Sequence, residues 1–349
     1  MSSPVRPPVA PMLAKLQEQI PEGSGWRYEP KWDGIRTLVF REPGETLLIS
    51  REDRPLGRYF PETLAVLDAM PAERFVADGE LVIVRPEGLA FDELLQRIHP
   101  AASRVRMLAE QWPATLVLFD LLARGDRDLR RLPLLERRRE LEALVRDLGG
   151  NAQARTVRDL RPCPEIVLTP QTADLALARS WFADEDGIGQ DGIVAKREDL
   201  TYREGERTMV KVKHHRTADC VVGGYRLAKS GDGVGSLLLG LFDEAGTLHY
   251  VGHTSSFKAA ERRALLETLR PLEGGESFEG GRSPGGPSRW TGGRDPSWVA
   301  LRPELVCEVR FDRMQGERFR HAATFLRWRP DREPRSCTFA QLSSGTSAS

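Results

Sequence analysis

The sequence predicts an α+β protein with two domains, a larger one rich in sheet and a smaller one built almost entirely of strands. The chain has 349 residues and is 40% hydrophobic, which is enough to bury two cores. Runs of apolar and β-branched residues, separated by turn residues, recur along it. After Lys213 these runs become shorter and more closely spaced. We therefore expect domains at residues 1–213 and 214–349, with the boundary between His214 and Thr217.

Within the first domain, alternating segments predict strands of an antiparallel sheet at 26–29, 35–40, 46–50, 75–84 and 115–122. Two helices are expected between strands. Residues 61–70 open with Pro61 and Glu62 and carry spaced apolar residues, and residues 134–148 do the same within a charged segment. The arginines at 124–139 are interleaved with acids, which is typical of a solvated helix face, so we assign that stretch no function.

In the second domain, segments at 219–226, 236–242, 249–253, 305–311 and 323–328 predict short strands, and residues 257–272 predict one helix. Such a set suits a small, partly open barrel like the oligonucleotide-binding (OB) fold, whose loops and strand face commonly hold nucleic acid. Residues 274–295, rich in Gly, Ser and Pro, predict a long loop. Candidate phosphate contacts in and near it are Lys229, Arg282, Arg289 and Arg294.

Composition narrows the class of protein. The 51 basic and 51 acidic residues cancel, so any nucleic-acid contact must come from local patches. The four cysteines form no C-x-x-C pair, which indicates neither a zinc site nor a disulfide framework and fits a reducing cytoplasm. The chain carries no apolar signal segment and no run of 18 apolar residues, so we expect no membrane insertion. The Pro-rich start predicts an extended arm.

Lysine is scarce in this chain. Of the 51 basic residues seven are lysines, so 44 are arginines. Lys31 lies between two predicted strands, with Asp33 and Gly34 at the turn that follows it. Lys differs from Arg in having an amine that can lose its proton and act as a nucleophile, and Gly supplies backbone freedom where a phosphate must come close. Lys31 is therefore the first candidate for covalent chemistry.

Further motifs follow this Lys-x-Asp-Gly segment in a fixed order: Ser50-Arg51, Asp78-Gly79-Glu80, Phe119-Asp120, Asp191-Gly192-Ile193-Val194 before Lys196, and Lys211-Val212-Lys213. In order and spacing they resemble the nucleotidyltransferase motifs of ATP-dependent polynucleotide ligases, a superfamily that also includes mRNA capping enzymes. Segments 11–14, 28–34, 288–290 and 325–332 look specifically like bacterial ligase C and the ligase domain of bacterial ligase D. The resemblance runs nearly end to end. It implies an antiparallel-sheet nucleotidyltransferase domain of the ATP-grasp-like adenylation type, an OB-fold β-barrel after it, and no separate DNA-binding domain ahead of the first.

By this resemblance the catalytic residues are Lys31, Lys211 and Lys213. The ε-amine of Lys31 would attack the α-phosphorus of ATP and expel pyrophosphate, which requires a neutral amine although free Lys has a pKa of about 10.4. Lys211 and Lys213 lie two apart on a predicted strand, so they project from one face, roughly 7 Å from each other. Their charges would hold the α-phosphate and disfavour the protonated form of Lys31.

The resemblance also implies a wider binding set. Phe119 would stack on adenine, Glu29 would contact the purine edge, and Arg51 would suit the 5′-phosphate of a nick as well as the nucleotide. The implied cofactor-binding residues are Glu29, Lys31, Arg36, Arg51, Glu80, Phe119, Lys196, Lys211, Lys213, Arg327 and Arg329. The implied metal residues are Glu80 and Asp191, for Mg²⁺ or Mn²⁺ in its place.

Arg327 and Arg329 belong to a C-terminal motif that the second domain is expected to swing over ATP to orient pyrophosphate. The domain would then rotate away to clamp DNA, with its hinge just after Lys213. Three positions depart from the family's pattern, with Asp191 in place of Glu, Met209 in place of an aromatic and Arg332 in place of Lys. Each retains the carboxylate, the apolar bulk or the cation, so we expect an active enzyme.

Together these features predict an ATP-dependent DNA ligase that seals 5′-phosphate/3′-hydroxyl nicks in duplex DNA during repair, through lysyl-AMP and DNA-adenylate. We expect a monomer in the bacterial cytoplasm, at the nucleoid, with a repair polymerase or an end-binding protein as a candidate partner. Two alternatives stay open. A capping guanylyltransferase or RNA ligase would form covalent GMP or prefer RNA ends. A non-catalytic nucleic-acid-binding scaffold would have lost one of Lys31, Glu80, Lys211 or Lys213, and all four are present.

Overall fold

In a computed structural model the chain divides into two compact units, Met1–His214 and His215–Ser349. The structure describes residues 3–71, 73–86, 88–149, 151–154, 157–183, 191–214, 216–228, 231–278, 284 and 297–343. The candidate phosphate contacts Lys229, Arg282, Arg289 and Arg294, and the segment 288–290, lie outside these residues. No helix within these ranges is both long and apolar enough to cross a lipid bilayer.

The first unit is an α+β body. Its described strands are β1 (Leu13–Gln17), β2 (Trp26–Pro30), β3 (Ile35–Glu42), β4 (Glu45–Ser50), β5 (Phe75–Arg85), β6 (Gly88–Leu89), β7 (Ala114–Arg124), β8 (Arg127–Asp128), β9 (Asn151–Ala154), β10 (Ile166–Leu168), β11 (Ile193–Arg197) and β12 (Arg207–Val212). Its described helices are α1 (Pro61–Ala69), α2 (Phe91–Arg97), α3 (Ala102–Gln111), α4 (Leu134–Asp147) and α5 (Leu175–Ala183). The strands and helices predicted for this part of the chain are confirmed, and each end falls within two residues of the prediction.

Two sheets organise this unit. The smaller has the order β1-β12-β11-β2, and the larger has the order β4-β3-β5-β7-β10-β9 with β6 beside β5 and β8 beside β7. Most neighbours are antiparallel as predicted, but β1–β12, β7–β10 and β9–β10 are parallel. Strands β5 and β7 are buried on both faces, so apolar residues occupy consecutive positions in parts of each strand and the alternation is not strict. Apolar residues of helices α1 and α4 form one core with those of β5 and β7 on the larger sheet.

The chain passes from the smaller sheet to the larger one between β2 and β3, at residues 31–34. A Cβ on Gly34 would lie 2.1 Å from the carbonyl oxygen of Leu81, in β5. Glycine is therefore required at this position because β5 approaches the crossing closely. This reason differs from the phosphate approach expected from the sequence.

Two expectations about basic or proline-rich segments are wrong. Instead of extending as a free arm, the N-terminal segment packs on the core, with Val5, Val9 and Met12 at most 7% exposed. The arginine-rich stretch is not a solvated face throughout, because Arg137 of α4 is fully buried and Arg138 is nearly so. A buried guanidinium needs a paired charge, and the partner of Arg137 comes from β7, which no local pattern reveals.

The second unit is a small barrel. Its described strands are β13 (Arg216–Leu227), β14 (Val234–Phe242), β15 (Leu248–Thr254), β16 (Val299–Ala300), β17 (Val306–Phe311), β18 (Met314–Gln315), β19 (Arg318–Phe319) and β20 (Thr324–Trp328), and its helices are α6 (Ala259–Leu269) and α7 (Ala340–Ser343). The main sheet has the order β15-β14-β13-β17-β20, and a bridge between Thr254 and Ala323 joins its two edges. The five main strands, the helix and the OB-type barrel predicted for this domain are confirmed.

Candidate active site

Both sheets of the first unit contribute side chains to one cavity. Strands β2, β11 and β12 of the smaller sheet line it together with β3, β5 and β7 of the larger one. The lining contains the predicted residues Glu29, Lys31, Arg36, Arg51, Glu80, Phe119, Lys196 and Lys211. Long-range folding thus brings these separate sequence motifs into a single place.

Lys31 is held by a carboxylate at this cavity. Its Nζ lies 2.7 Å from Oδ2 of Asp191, and Nζ of Lys213 lies 2.7 Å from the same oxygen. The backbone supports the contact, since the N–H of Lys31 donates to the carbonyl of Gly192 at 2.9 Å and the N–H of Asp191 donates to the carbonyl of Lys31 at 3.0 Å. Gly192 has a φ of 124°, and a Cβ there would lie 1.9 Å from the carbonyl oxygen of Val212. This glycine allows Asp191 to reach Lys31.

The charges of three lysines and one acid are coupled here. Burial alone would raise the pKa of Asp191, but the charges and hydrogen bonds of Lys31 and Lys213 outweigh it and hold that pKa well below its ordinary value. Burial lowers the pKa of Lys211, and the charges of Lys31 and Lys213 lower it further. Asp191 thus holds Nζ of Lys31 in an ion pair. Attack by Lys31 therefore requires that this ion pair be broken.

A buried ion pair fixes Glu29. Nζ of Lys196 lies 2.7 Å from Oε2 of Glu29, and the two side chains are 2% and 4% exposed. Nε2 of Gln171 donates to the other oxygen, Oε1, at 2.7 Å. Lys196 also lines the cavity, where it could meet a phosphate. That contact stays a prediction. What the structure shows is that Lys196 holds the acid expected at the purine edge.

Phe119 presents its ring to the cavity between two cations. Cζ of Arg36 lies 4.8 Å from the ring centroid and Nζ of Lys196 lies 4.9 Å from it. Arg36 is fixed in turn by the fully buried Asp78, to which Nε and Nη2 donate at 2.6 and 2.5 Å. Burial would lower the pKa of Arg36, but Asp78 outweighs this effect and raises it. The hydroxyl of Tyr202 donates to Asp78 at 2.6 Å.

Three of these supporting residues were not predicted as site residues. Asp78 stands inside a motif quoted for Glu80, so a signal for it was available. Tyr202 and Gln171 carry no local signal, because their partners lie 124 and 142 residues away along the chain. Their roles follow from the tertiary structure alone.

Glu80 and Arg51 both line the cavity but differ in exposure, since Glu80 is partly buried and Arg51 is exposed. Burial raises the pKa of Glu80 to about 7, against the opposing charges of Arg36 and Lys31. Glu80 faces Arg36 across the β3–β5 ladder. Arg51 follows β4, has a side chain that is 57% exposed, and approaches Glu52 no closer than 3.7 Å. It is therefore an accessible cation at the mouth of the site.

The two carboxylates predicted as metal ligands are those of Glu80 and Asp191. No cluster of three or more His, Cys, Asp or Glu side chains suited to a metal occurs in the part of the chain that the structure describes. Mg²⁺, however, usually keeps several waters and takes one or two carboxylates together with substrate phosphates. Glu80 and Asp191 both interact electrostatically with Lys31. Carboxylate oxygens are the donors that a Mg²⁺ ion arriving with a nucleotide would take, and the role of Glu80 and Asp191 as its ligands stays a prediction.

The predicted pyrophosphate-orienting arginines belong to the second unit. Nε of Arg327 lies 2.6 Å from Glu308, and Arg329 contacts Asp219 at 2.9 Å and Asp331 at 2.8 Å. These pairs order the residues at and after β20. The contact of Arg327 and Arg329 with a nucleotide stays a prediction.

Comparison with known proteins assigns the chain to a family. Residues 11–213 match the ATP dependent DNA ligase domain, and residues 230–332 match the ATP dependent DNA ligase C terminal region. The chain belongs to the ATP-dependent DNA ligase family. It is thus an enzyme that forms phosphodiester bonds, as the sequence predicts, and this assignment favours a DNA ligase over the capping alternative.

Individual relatives agree with this assignment. DNA ligase C2 of Mycolicibacterium smegmatis is 50% identical to this ligase over 99% of the chain and 97% of its own length. The multifunctional non-homologous end joining protein LigD of Mycobacterium bovis is 31% identical over 93% of the chain, which corresponds to 39% of that larger protein. A solved structure from a study of Lig E DNA ligases has a TM-score of 0.54 at 17% identity, covers 91% of this chain and 99% of its own, and supports the fold alone.

Proposed function

We propose that this ligase seals nicks in duplex DNA through a covalent lysyl-AMP on Lys31. The observation that carries the proposal is the position of Lys31 Nζ, next to Asp191 and Lys213 in a cavity that also contains Phe119 and Lys211. An aromatic ring, a nucleophilic amine and a group of cations are what a site needs to bind a purine nucleotide and transfer its α-phosphate.

The first step joins AMP to the protein. Nζ of Lys31, as the neutral amine, bonds to the α-phosphorus of ATP and gives up one proton to solvent, while the bond from that phosphorus to the bridging oxygen breaks and pyrophosphate leaves. Lys211 and Lys213 offset charge on the phosphate, and Phe119 and Glu29 hold the purine. Mg²⁺, held by Glu80 and Asp191 together with phosphate oxygens, would supply charge neutralisation to this chemistry.

The next two steps join the DNA. A 5′-phosphate oxygen of the nick displaces Lys31 from AMP, and Arg51 is the exposed cation placed to meet that phosphate. The 3′-hydroxyl then attacks the activated 5′-phosphorus, a phosphodiester bond forms and AMP leaves. The 31% identity to a protein named for non-homologous end joining supports a role in repair. The monomeric state, the nucleoid location and a partner polymerase or end-binding protein stay predictions.

Sealing of a labelled nicked duplex tests the proposal. Wild type should seal with ATP and not with GTP, and Lys31→Ala should fail with ATP. The same variant should still seal a nick whose 5′-phosphate already carries AMP, because the amine is then no longer needed as nucleophile. Lys258→Ala, at an exposed lysine of the second unit, is the matched control and should behave as wild type. Sealing by Lys31→Ala with ATP, or a preference for GTP or for nicked RNA, would contradict the proposal.

A further inference from the structure

Phe119 stands at a β-bulge. In the pairing of β5 with β7, Asp78 faces Asp120 and Gly79 faces Leu118, so Phe119 is the extra residue on β7. A bulge of this kind bends the strand and re-aims the side chain of the inserted residue. Here the inserted residue is the one whose ring lines the nucleotide cavity. The direction of that ring therefore depends on what keeps the bulge in place.

Side chains bind the backbone groups around this bulge. Oδ1 of Asp120 accepts a hydrogen bond from the N–H of Leu121 at 2.9 Å, and Nζ of Lys196 donates to the carbonyl of Phe119 at 3.4 Å. On the facing strand, a Cβ on Gly79 would lie 2.6 Å from the carbonyl oxygen of Val117. The bulge thus needs a glycine opposite it and a carboxylate beside it.

Arg137 holds that carboxylate in one orientation. Its Nε donates to Oδ1 of Asp120 at 2.7 Å and its Nη2 donates to Oδ2 at 2.9 Å, while Nη1 donates to the carbonyls of Leu132 and Leu200. Arg137 is 0% exposed and Asp120 is 2% exposed. Burial would raise the pKa of Asp120, but the charge and hydrogen bonds of Arg137 outweigh it and lower that pKa. A bidentate ion pair of this kind fixes the orientation of the carboxylate as well as its distance from the guanidinium.

We propose that Arg137 is a positioning residue for ATP, which through Asp120 holds the bulge that aims the Phe119 ring into the nucleotide cavity. This inference rests on the proposed function, in which Phe119 stacks on adenine. The hydrogen bonds of Arg137 reach no cavity-lining side chain, and its two bonds to Asp120 link it to the strand that carries Phe119. Its guanidinium also lies 5.8 Å from the ring centroid of Tyr202, so Asp120→Asn, which removes the charge on the Asp120 side alone, separates the two contacts. Loss of base stacking on an aromatic ring corresponds to roughly tenfold or more in affinity.

The chain offers a matched control in Arg97. This residue of α2 is also 0% exposed, also donates to both oxygens of one carboxylate, that of Glu62, and also donates to two carbonyls, those of Tyr59 and Trp112. None of these groups lines the nucleotide cavity. Arg→Lys at either position keeps the charge but loses the planar fork. Both variants should lose stability, but of the two only Arg137→Lys should also lose ATP affinity.

The test compares the KM for ATP, the maximal rate of protein adenylation and the Tm of four full-length variants: Arg137→Lys, Arg97→Lys, Phe119→Leu and Arg137→Lys/Phe119→Leu. We expect Arg137→Lys and Phe119→Leu each to raise the KM by about tenfold, and the double variant to raise it little further because both act on one ring. Arg97→Lys should lower the Tm comparably and leave the KM within about twofold of wild type.

Equal KM values for Arg137→Lys and Arg97→Lys would overturn the inference while leaving the proposed function intact. An unchanged KM in Phe119→Leu would instead overturn the stacking role on which it rests, so the two failures are distinguishable. If Arg137→Lys does not fold, Asp120→Asn replaces it. That variant keeps an oxygen for the N–H of Leu121 and loses the charge that Arg137 holds, and its KM is judged against Arg97→Lys in the same way.

Discussion

Removing the amine of Lys196 should destabilise this ligase strongly, because the change leaves a buried charge without its partner. Lys196 and Glu29 are 2% and 4% exposed and their charged atoms are 2.7 Å apart. Breaking a buried pair by removing one member costs about 3–5 kcal/mol, whereas replacing both members by neutral groups of similar size is often nearly neutral. We therefore expect Lys196→Met to lower the free energy of unfolding by about 3–5 kcal/mol. Lys196→Met/Glu29→Gln should recover most of this loss.

The assay is urea unfolding of the full chain near neutral pH, followed by tryptophan fluorescence, with Lys258→Met as the exposed-lysine control. The control should fall within about 0.5 kcal/mol of wild type. A loss below about 1 kcal/mol in Lys196→Met, or a double variant whose loss equals the sum of the two single losses, would refute the reasoning. In that case Lys196 would be a solvated group free to bind phosphate, as the sequence resemblance implied.

Two further predictions concern the crossing between the sheets and the buried acid of β7. Gly34→Ala should cost about 1–3 kcal/mol or more and slow adenylation, because the added Cβ would lie 2.1 Å from the Leu81 carbonyl oxygen and 2.8 Å from Glu80 Cγ; wild-type stability in urea unfolding would contradict this. The folded pKa of Asp120 is below its ordinary value, so the stability it contributes is complete above about pH 4 and is lost as the pH falls through the folded pKa. The gap in unfolding free energy between wild type and Asp120→Asn should therefore be constant from about pH 7 to pH 5 and shrink below about pH 4; a gap that grows on acidification would count against the ion pair.

Much of the fold was predictable because its signals are local. Strands β2, β3, β4, β5 and β7, the five main strands of the second unit, and helices α1 and α4 follow from apolar periodicity and turn residues, and their bounds in the structure agree with that pattern. The parallel pairings of β1 with β12 and of β10 with its two neighbours were not predictable in this way. Pairing depends on segments far apart in the chain, which no short window contains.

The candidate site was likewise predictable only where its signals are local. The motif order located Lys31, Phe119 and Lys211, and the structure places all three at one cavity. The sequence could not show that Lys196 is buried against Glu29, nor that Arg137 is buried against Asp120, since each role is defined by a partner on a distant element of the chain. The charged pattern around Arg137 resembled a solvated helix, and tertiary burial overrode it.

The most direct measurement of the central claim is the site of AMP attachment. The ligase is incubated with Mg²⁺ and ATP and digested under conditions that preserve the phosphoramidate. The masses of its peptides are then measured by mass spectrometry. The account predicts one added AMP on the peptide that contains Lys31, none in Lys31→Arg, which keeps the charge but offers no neutral amine, and a normal adduct in Lys258→Arg. AMP on another residue, or an undiminished adduct in Lys31→Arg, would contradict it.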